Sequence, residues 1–177
     1  MTLDEPEKIR KAFSCFATGV AVATTSGRGG EPIGITISSF NTVTSGRGGE
    51  PIGITISSFN TVSLEPPLVL WSLGVDSISF DAFANAEHFA VNVLAGHQAD
   101  LSARFASRGE DKFAGLDCTE GVNGVPILPE FAACFECSAE YRYPGGDHLI
   151  IVGRVVNFED RGLDPLIFYR SEFHRVR

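Results

Sequence analysis

Nineteen residues, TSGRGGEPIGITISSFNTV, run from Thr25 to Val43 and recur unchanged from Thr44 to Val62. Diverged structural repeats accumulate differences, and these copies have none. The repeat therefore reads as a recent in-frame duplication, or as an error in the underlying gene. Two copies cannot build a solenoid, which needs three or more stacked units to bury a continuous core. One copy should occupy a native strand, and the other should be an insertion beside it. Chain entropy permits this, because each doubling of a surface loop costs only about 0.6 kcal/mol. The spare copy keeps a strand-like apolar pattern, however, so it could pair at a sheet edge or compete for the native position.

With or without the extra copy, the length is that of a single domain. The chain has 177 residues, 44% hydrophobic and 20% charged, the balance of a packed soluble protein. Its 14 basic and 22 acidic side chains leave a formal charge of -8, which argues against gripping phosphate backbones. The 19 glycines and 14 phenylalanines point to a turn-rich fold with an aromatic core. The longest apolar runs, Leu68–Trp71 and Leu149–Val152, are far too short to span a bilayer. The charged start, MTLDEPEKIR, lacks the apolar stretch of a signal peptide. A cytoplasmic protein is expected, with Cys15, Cys118, Cys134 and Cys137 as reduced thiols.

Local patterns predict many short strands and few helices. DEPEKIRKAFSCF is helical, capped by Asp4, with Ile9, Phe13 and Phe16 on one face. Val20–Thr24 is a β-branched run, SGRGGEP a turn, and IGITISSF a period-two strand with a hydroxyl-lined face. LVLWSL reads as a buried strand, Asp76 as the cap of a helix reaching Ala86, and HFAVNVL as the next strand. Gln98–Ser107 is an amphipathic helix with Leu101 and Phe105 inward, and a loop follows from Gly109 to Pro129. Phe131–Tyr143 and His148–Phe158 are long strands joined by PGGD, a strong hairpin signal. PLIFYRSEF closes the chain as one more short strand. This pattern suggests a mainly β protein, a β-barrel with a few peripheral helices.

Most chemical motifs dissolve on inspection. Gly27, Gly29 and Gly30 give a GxG, but the third glycine position is Pro32 and no helix follows, so a dinucleotide loop is disfavoured. Cys134 and Cys137 have CxxC spacing within a strand pattern, where positions i and i+3 point to opposite faces and cannot share a metal or a disulfide. His88, His97, His148 and His174 show no chelating spacing, so no metal site is expected. His88 and His97 read as surface or helix-end residues. His148 stands apart, because it follows PGGD at the start of a strand and so lies at the rim of a barrel. The run Thr55–Ser63 holds six short polar side chains in nine residues. It suits either an exposed sheet face or an anionic, hydrogen-bonding ligand such as a flavin nucleotide.

Six collinear blocks then carry a resemblance. FATGVAVATT, GITISSFNTVSLEPPLVLWSL, FAVNVLA, SARFASRGEDKFAG, GDHLIIVGRV and PLIFYR together resemble the flavin reductase-like family, short-chain NAD(P)H:flavin oxidoreductases with an FMN-binding split β-barrel. Such enzymes serve as reductase components of two-component flavin monooxygenases. The resemblance implies a flavin, FMN or FAD, and NADH or NADPH as hydride donor. It also implies an oxygenase partner and a homodimer.

Carried over by residue, the resemblance implies that Thr55, Ser57, Ser58, Asn60 and Thr61 contact the flavin phosphate and ribityl chain. Ser72 and Leu73 would line the isoalloxazine, and Asn92, Leu94 and Ala95 would close a second side of it. Phe105, Lys112 and Phe113 would border the ring or phosphate, with Lys112 as a charge partner. Gly146, Asp147 and His148 would lie where the nicotinamide approaches, His148 positioning it or donating a proton, and Tyr169 and Arg170 would sit near the flavin. Two other readings stay open: a split-barrel reductase with another acceptor, such as ferric chelates, and a non-catalytic flavin-binding module.

The family has one GITISSFNTV segment and this chain has two. The second copy runs unbroken into SLEPPLVLWSL, and an insertion is better tolerated at a hairpin tip than beside a ligand. The second copy is therefore expected to hold the flavin, leaving Thr25–Val43 excess to the fold. The counterparts in the first copy are Thr36, Ser38, Ser39, Asn41 and Thr42.

Overall fold

A computed structural model describes residues 6–26, 32–37, 58–107 and 111–176, the stretch 32–37 by its backbone. Strands dominate. A short helix α1 (Pro6–Phe13) leads into β1 (Thr18–Gly19) and β2 (Ala21–Ser26). Next come β3 (Pro32–Ile37), β4 (Asn60–Leu64) and β5 (Pro67–Gly74). Helix α2 (Phe80–Asn85), β6 (His88–Val93) and helix α3 (Ala99–Ala106) follow. A minimal pair, β7 (Thr119–Glu120) and β8 (Pro126–Ile127), flanks a single 3-10 turn. The long β9 (Ala133–Gly145) and β10 (His148–Asp160) precede a closing hairpin, β11 (Leu166–Tyr169) and β12 (Glu172–Arg175).

Seven strands form the main sheet in the order β3-β2-β6-β9-β10-β5-β4, every described pairing antiparallel. β1, β11 and β12 form a small second sheet. Alternation along the central strands fills two faces. Ala21, Ala23, Trp71, Phe89, Val91 and Ile151 pack on one side, with Phe83 of α2. On the other, Val20, Val22 and Leu94 meet Phe105, Phe113 and Leu128. β2 is thus buried on both faces, which is why VAVATT reads as a continuous apolar run rather than as an alternation. The same period separates the two cysteines: Cys134 packs with Ala90, Ile127 and Phe131, and Cys137 joins the Trp71 cluster. Burial pushes both thiols up to about 12, as expected of inert core cysteines.

Three local expectations are corrected. Helix α2 begins at Phe80 behind Ser79, not at Asp76. The 109–129 segment holds the β7–β8 pair instead of being plain loop. PLIFYRSEF is a hairpin, not one strand, because Arg170 and Ser171 take φ of 50° and 67° and turn the chain without a glycine. Helix α1 also stops at Phe13, short of the expected Phe16, and both Phe13 and Phe16 are exposed.

The duplicated segment is used in neither of the simple ways. Pro32–Ile37, from the first copy, pairs with β2 from Ala21↔Ile37 to Ser26↔Pro32. Thr25 is buried in β2 and donates its hydroxyl to His88 O at 2.8 Å, so Thr25–Val43 is not wholly excess. The second copy supplies Ser58, Phe59 and the start of β4. A five-residue connection from Ser26 lets the first copy reach β2 as a local hairpin, the kind of short-range pairing that forms readily.

Candidate functional site

β4 and the β9–β10 turn both border β5, β4 along Pro67–Leu70 and the turn at its Gly74 end. The Ser58 hydroxyl accepts from Ser72 N–H at 2.8 Å and donates to Ser72 O at 3.3 Å, so it takes the place of a ladder partner beside β5. Asn60 and Thr61 are exposed, Asn60 Oδ1 accepting from Thr61 N–H at 3.0 Å. Across β5 they are level with Val152 and Gly153 of β10, while Gly146 and Asp147 are the two loop residues between Gly145 and His148, beside Gly74. Gly146 has φ +74°, as the first position of a type II′ hairpin turn requires, and Val75 N–H donates to Asp147 O at 3.0 Å, tying the turn to β5.

His148 pairs with Gly74 and keeps 35% of its side chain exposed. Its Nδ1 meets Asp147 Oδ1 at 2.7 Å, and that hydrogen bond, with the imidazole charge, holds the Asp147 carboxyl below its usual range. Fixing Nδ1 orients the ring and leaves Nε2 as the nitrogen available to a ligand. Ser72 is half-buried, whereas Leu73 is fully buried in the Trp71 cluster and can offer a ligand only its backbone. Thr55 and Ser57 lie outside the described residues, as do Ser38, Ser39, Asn41 and Thr42; Thr36 sits in β3 opposite Val22.

The second set of expected residues lies at the other end of the sheet. Asn92 is opposite Cys134, which is opposite Glu159, eleven positions along β10 from His148. Here side chains are committed inward. Asn92 is 0% exposed; its Nδ2 donates to Val22 O at 3.2 Å and Thr24 Oγ1 at 3.3 Å, and its Oδ1 accepts from Leu128 N–H at 3.1 Å. Leu94 is buried, and Ala95 N–H is taken by Gln98 Oε1 at 2.7 Å. Phe105 and Phe113 meet edge to face at 5.1 Å. Lys112, also fully buried, donates from Nζ to Phe105 O at 2.9 Å, at the carbonyl-rich end of α3. Burial lowers its pKa to about 7. Its ammonium is therefore aimed at the helix end, not at solvent.

Tyr169 and Arg170 form a third location. Arg170 stands at the β11–β12 turn with its guanidinium 5.4 Å from the Tyr169 ring, and its backbone N–H donates to Ser14 O at 2.9 Å.

Two cavities open elsewhere on the described residues. One, of about 350 Å³, is walled by Val93, Phe135, Phe158, Leu163 and Pro165 with Glu159 and Asp160 beside them. Phe59 stacks on Phe135 at 5.6 Å. Its walls are mostly apolar, and it lies at the Glu159 end of β10, away from His148. None of its walls was singled out from sequence, although Val93 sits between the expected Asn92 and Leu94. The other, of about 460 Å³, lies between α2 and β9 and is lined by Glu87, His88, Ser138 and Arg142. Arg142 Nη2 donates to Ala86 O there. Among the described residues, no group of three or more His, Cys, Asp or Glu side chains could hold a metal.

The family described as "Flavin reductase like domain" matches residues 42–177. The FMN reductase (NADH) SmoA of Agrobacterium fabrum is 39% identical over 97% of this chain and 87% of that protein. The stachydrine N-demethylase reductase subunit Stc3 of Rhizobium meliloti is 37% identical, over 96% of this chain and 65% of that protein. Among solved structures, the NADH:FAD oxidoreductase of Streptomyces globisporus C-1027, in complex with NAD and FAD fragments, superposes with TM-score 0.84 at 30% identity, over 100% of this chain and 96% of that one. The chain spans about half to two-thirds of the length of some relatives, 50% of one Rhizobium meliloti protein and 65% of Stc3.

Proposed function

The chain belongs to the flavin reductase-like family, with its split-barrel fold, and from that premise we propose that it oxidises NADH or NADPH and passes the hydride to FMN or FAD. The observation that carries this reading is full-length similarity to an FMN reductase (NADH) together with an exposed, hydroxyl-rich edge and an oriented imidazole on the same sheet. A bound flavin supplies the hydride acceptor, its N5.

The chain's own residues have limited tasks. Asn60, Thr61 and the backbone around Ser58 offer donors to phosphate and ribityl oxygens without positive charge. His148, held by Asp147, presents Nε2 to the nicotinamide carboxamide and aligns it, so that approach at roughly 3–3.5 Å becomes frequent. No general base is needed, since a hydride carries both electrons. Asn92, Leu94, Phe105, Lys112 and Phe113 are buried and build the far end of the barrel rather than touch the ligand.

Flavin is a dissociable substrate in this account, and reduced flavin leaves for an oxygenase partner. The protein works in the cytoplasm as a homodimer. Exposed Phe13, Phe16, Leu64, Phe158 and Phe173 supply apolar surface of the kind a second copy covers. Steady-state NADH oxidation with FMN and with FAD tests the reading. Rates should rise and saturate with added flavin; rates indifferent to flavin, or turnover with ferric chelates alone, would overturn it.

A further inference from the structure

Strand register sets which residues share a face with His148. Along β10, His148, Ile150, Val152 and Arg154 alternate with Ile151, which packs in the Trp71 cluster. Residues paired across an antiparallel ladder point the same way. Ser72 and Tyr143, both opposite Ile150, and Tyr141, opposite Val152, therefore lie on the His148 side, with Asn60 beyond Leu70. This is the outer face of the sheet, with its back to the Trp71 cluster.

Hydride transfer as described makes no use of Tyr141 and Tyr143. Their rings stack at 6.0 Å and 24°, yet the residues stay 49% and 51% exposed. Two stacked tyrosines on an open strand offer a broad π-surface at small entropic cost, because each ring already holds the other. Strand geometry fixes their place relative to the imidazole. Gly145 is level with His148, so Tyr143 and Tyr141 lie about 7 and 13 Å further along β9. A nicotinamide aligned on His148 carries two riboses and a pyrophosphate before its adenine, which therefore comes down some way along this face. Arg154 follows Val152 on the same face, its guanidinium bonded to Glu140 and its side chain 41% exposed, so a cation that a phosphate can share flanks the tyrosines.

We propose that the Tyr141–Tyr143 stack is the platform for the adenine of a bound dinucleotide, either the nicotinamide donor or FAD. The choice of ligand rests on the hydride-transfer reading above.

Truncated substrates test it. Oxidation of NADH and of reduced nicotinamide mononucleotide, which lacks the adenosine, is followed with FMN as acceptor, and NADH oxidation is repeated with FAD. In Tyr141→Ala/Tyr143→Ala the KM for NADH should rise about tenfold, the loss of one base stack, while that for the mononucleotide stays within about twofold. If the adenine is the flavin's, the KM for FAD rises instead and that for FMN holds. Tyr141→Phe/Tyr143→Phe should behave as the parent. Tyr141→Leu/Tyr143→Leu, which keeps apolar bulk on the strand, should lose as the alanine pair does. Calorimetric titration with ADP-ribose reads the platform without turnover, and binding should weaken about tenfold in the leucine pair. A parent that oxidises no nicotinamide nucleotide yet shows this loss of binding sinks the hydride-transfer reading and leaves the platform standing. Equal losses with whole and truncated nucleotides overturn the proposal, as does ADP-ribose binding that is absent from the parent or the same in parent and variant.

Discussion

The β4 edge with the β9–β10 turn, and the β6 end with α3, carry blocks of the same family yet treat their side chains in opposite ways. At the first, Asn60, Thr61, Asp147 and His148 make local hydrogen bonds and keep surface in reserve. At the second, Asn92 and Lys112 are fully buried and bonded to backbone, and Phe105 and Phe113 are locked edge to face. Membership in a motif therefore does not say whether a residue touches ligand. The buried block should fail through stability, the exposed block through kinetics.

The largest effect expected is from Phe105→Ala, which empties the centre of the second cluster and should destabilise the fold by about 3–5 kcal/mol in denaturant unfolding. A near-neutral result would mean that this block is not a supporting wall. Asn92→Leu comes next. It strands the Leu128 N–H and the Val22 carbonyl, at a cost of about 2–3 kcal/mol in the same measurement.

Lys112 sharpens the contrast through pH. Its folded pKa, lowered by burial to about 7, lies below its unfolded value, so between pH 7 and about 10 the unfolded chain holds a proton that the folded chain does not. Raising pH through that window favours the folded state. Relative to Lys112→Met, the parent should gain about 1 kcal/mol per pH unit there. Parallel stability profiles would place the ammonium in solvent, nearer to a phosphate role. Smaller still is Ser171→Gly, which relieves a positive φ at a non-glycine turn and should stabilise by about 1 kcal/mol without altering turnover.

Much of this architecture was legible in the chain. LVLWSL, HFAVNVL and the PGGD hairpin announce themselves by apolar runs and turn residues, and period two correctly sends Cys134 and Cys137 to different clusters. The β11–β12 turn was not legible, because Arg170 and Ser171 carry no glycine signal. Nor was the inward aim of Lys112, which depends on where the end of α3 meets residues 111–113 in space. The cavity beside Phe135 was hidden for a similar reason: its walls come from β6, β9, β10 and the segment around Pro165, and no spacing in sequence joins them. Identical copies cannot be ranked by composition at all. Only the five-residue connection after Ser26 gives the first copy its place next to β2.

The central claim is that the exposed turn acts on the nicotinamide while the buried block serves the stability of the fold. It is tested most directly by His148→Ala in steady-state NADH oxidation, with flavin affinity and melting temperature measured on the same sample. The account predicts a several-fold higher KM for NADH or a lower kcat, flavin affinity within a few-fold of the parent, and an unchanged melting temperature, since His148 is part-exposed and its ring, among the described residues, is bonded only to its neighbour Asp147. Kinetics identical to the parent would contradict it and leave His148 a simple strand-end residue.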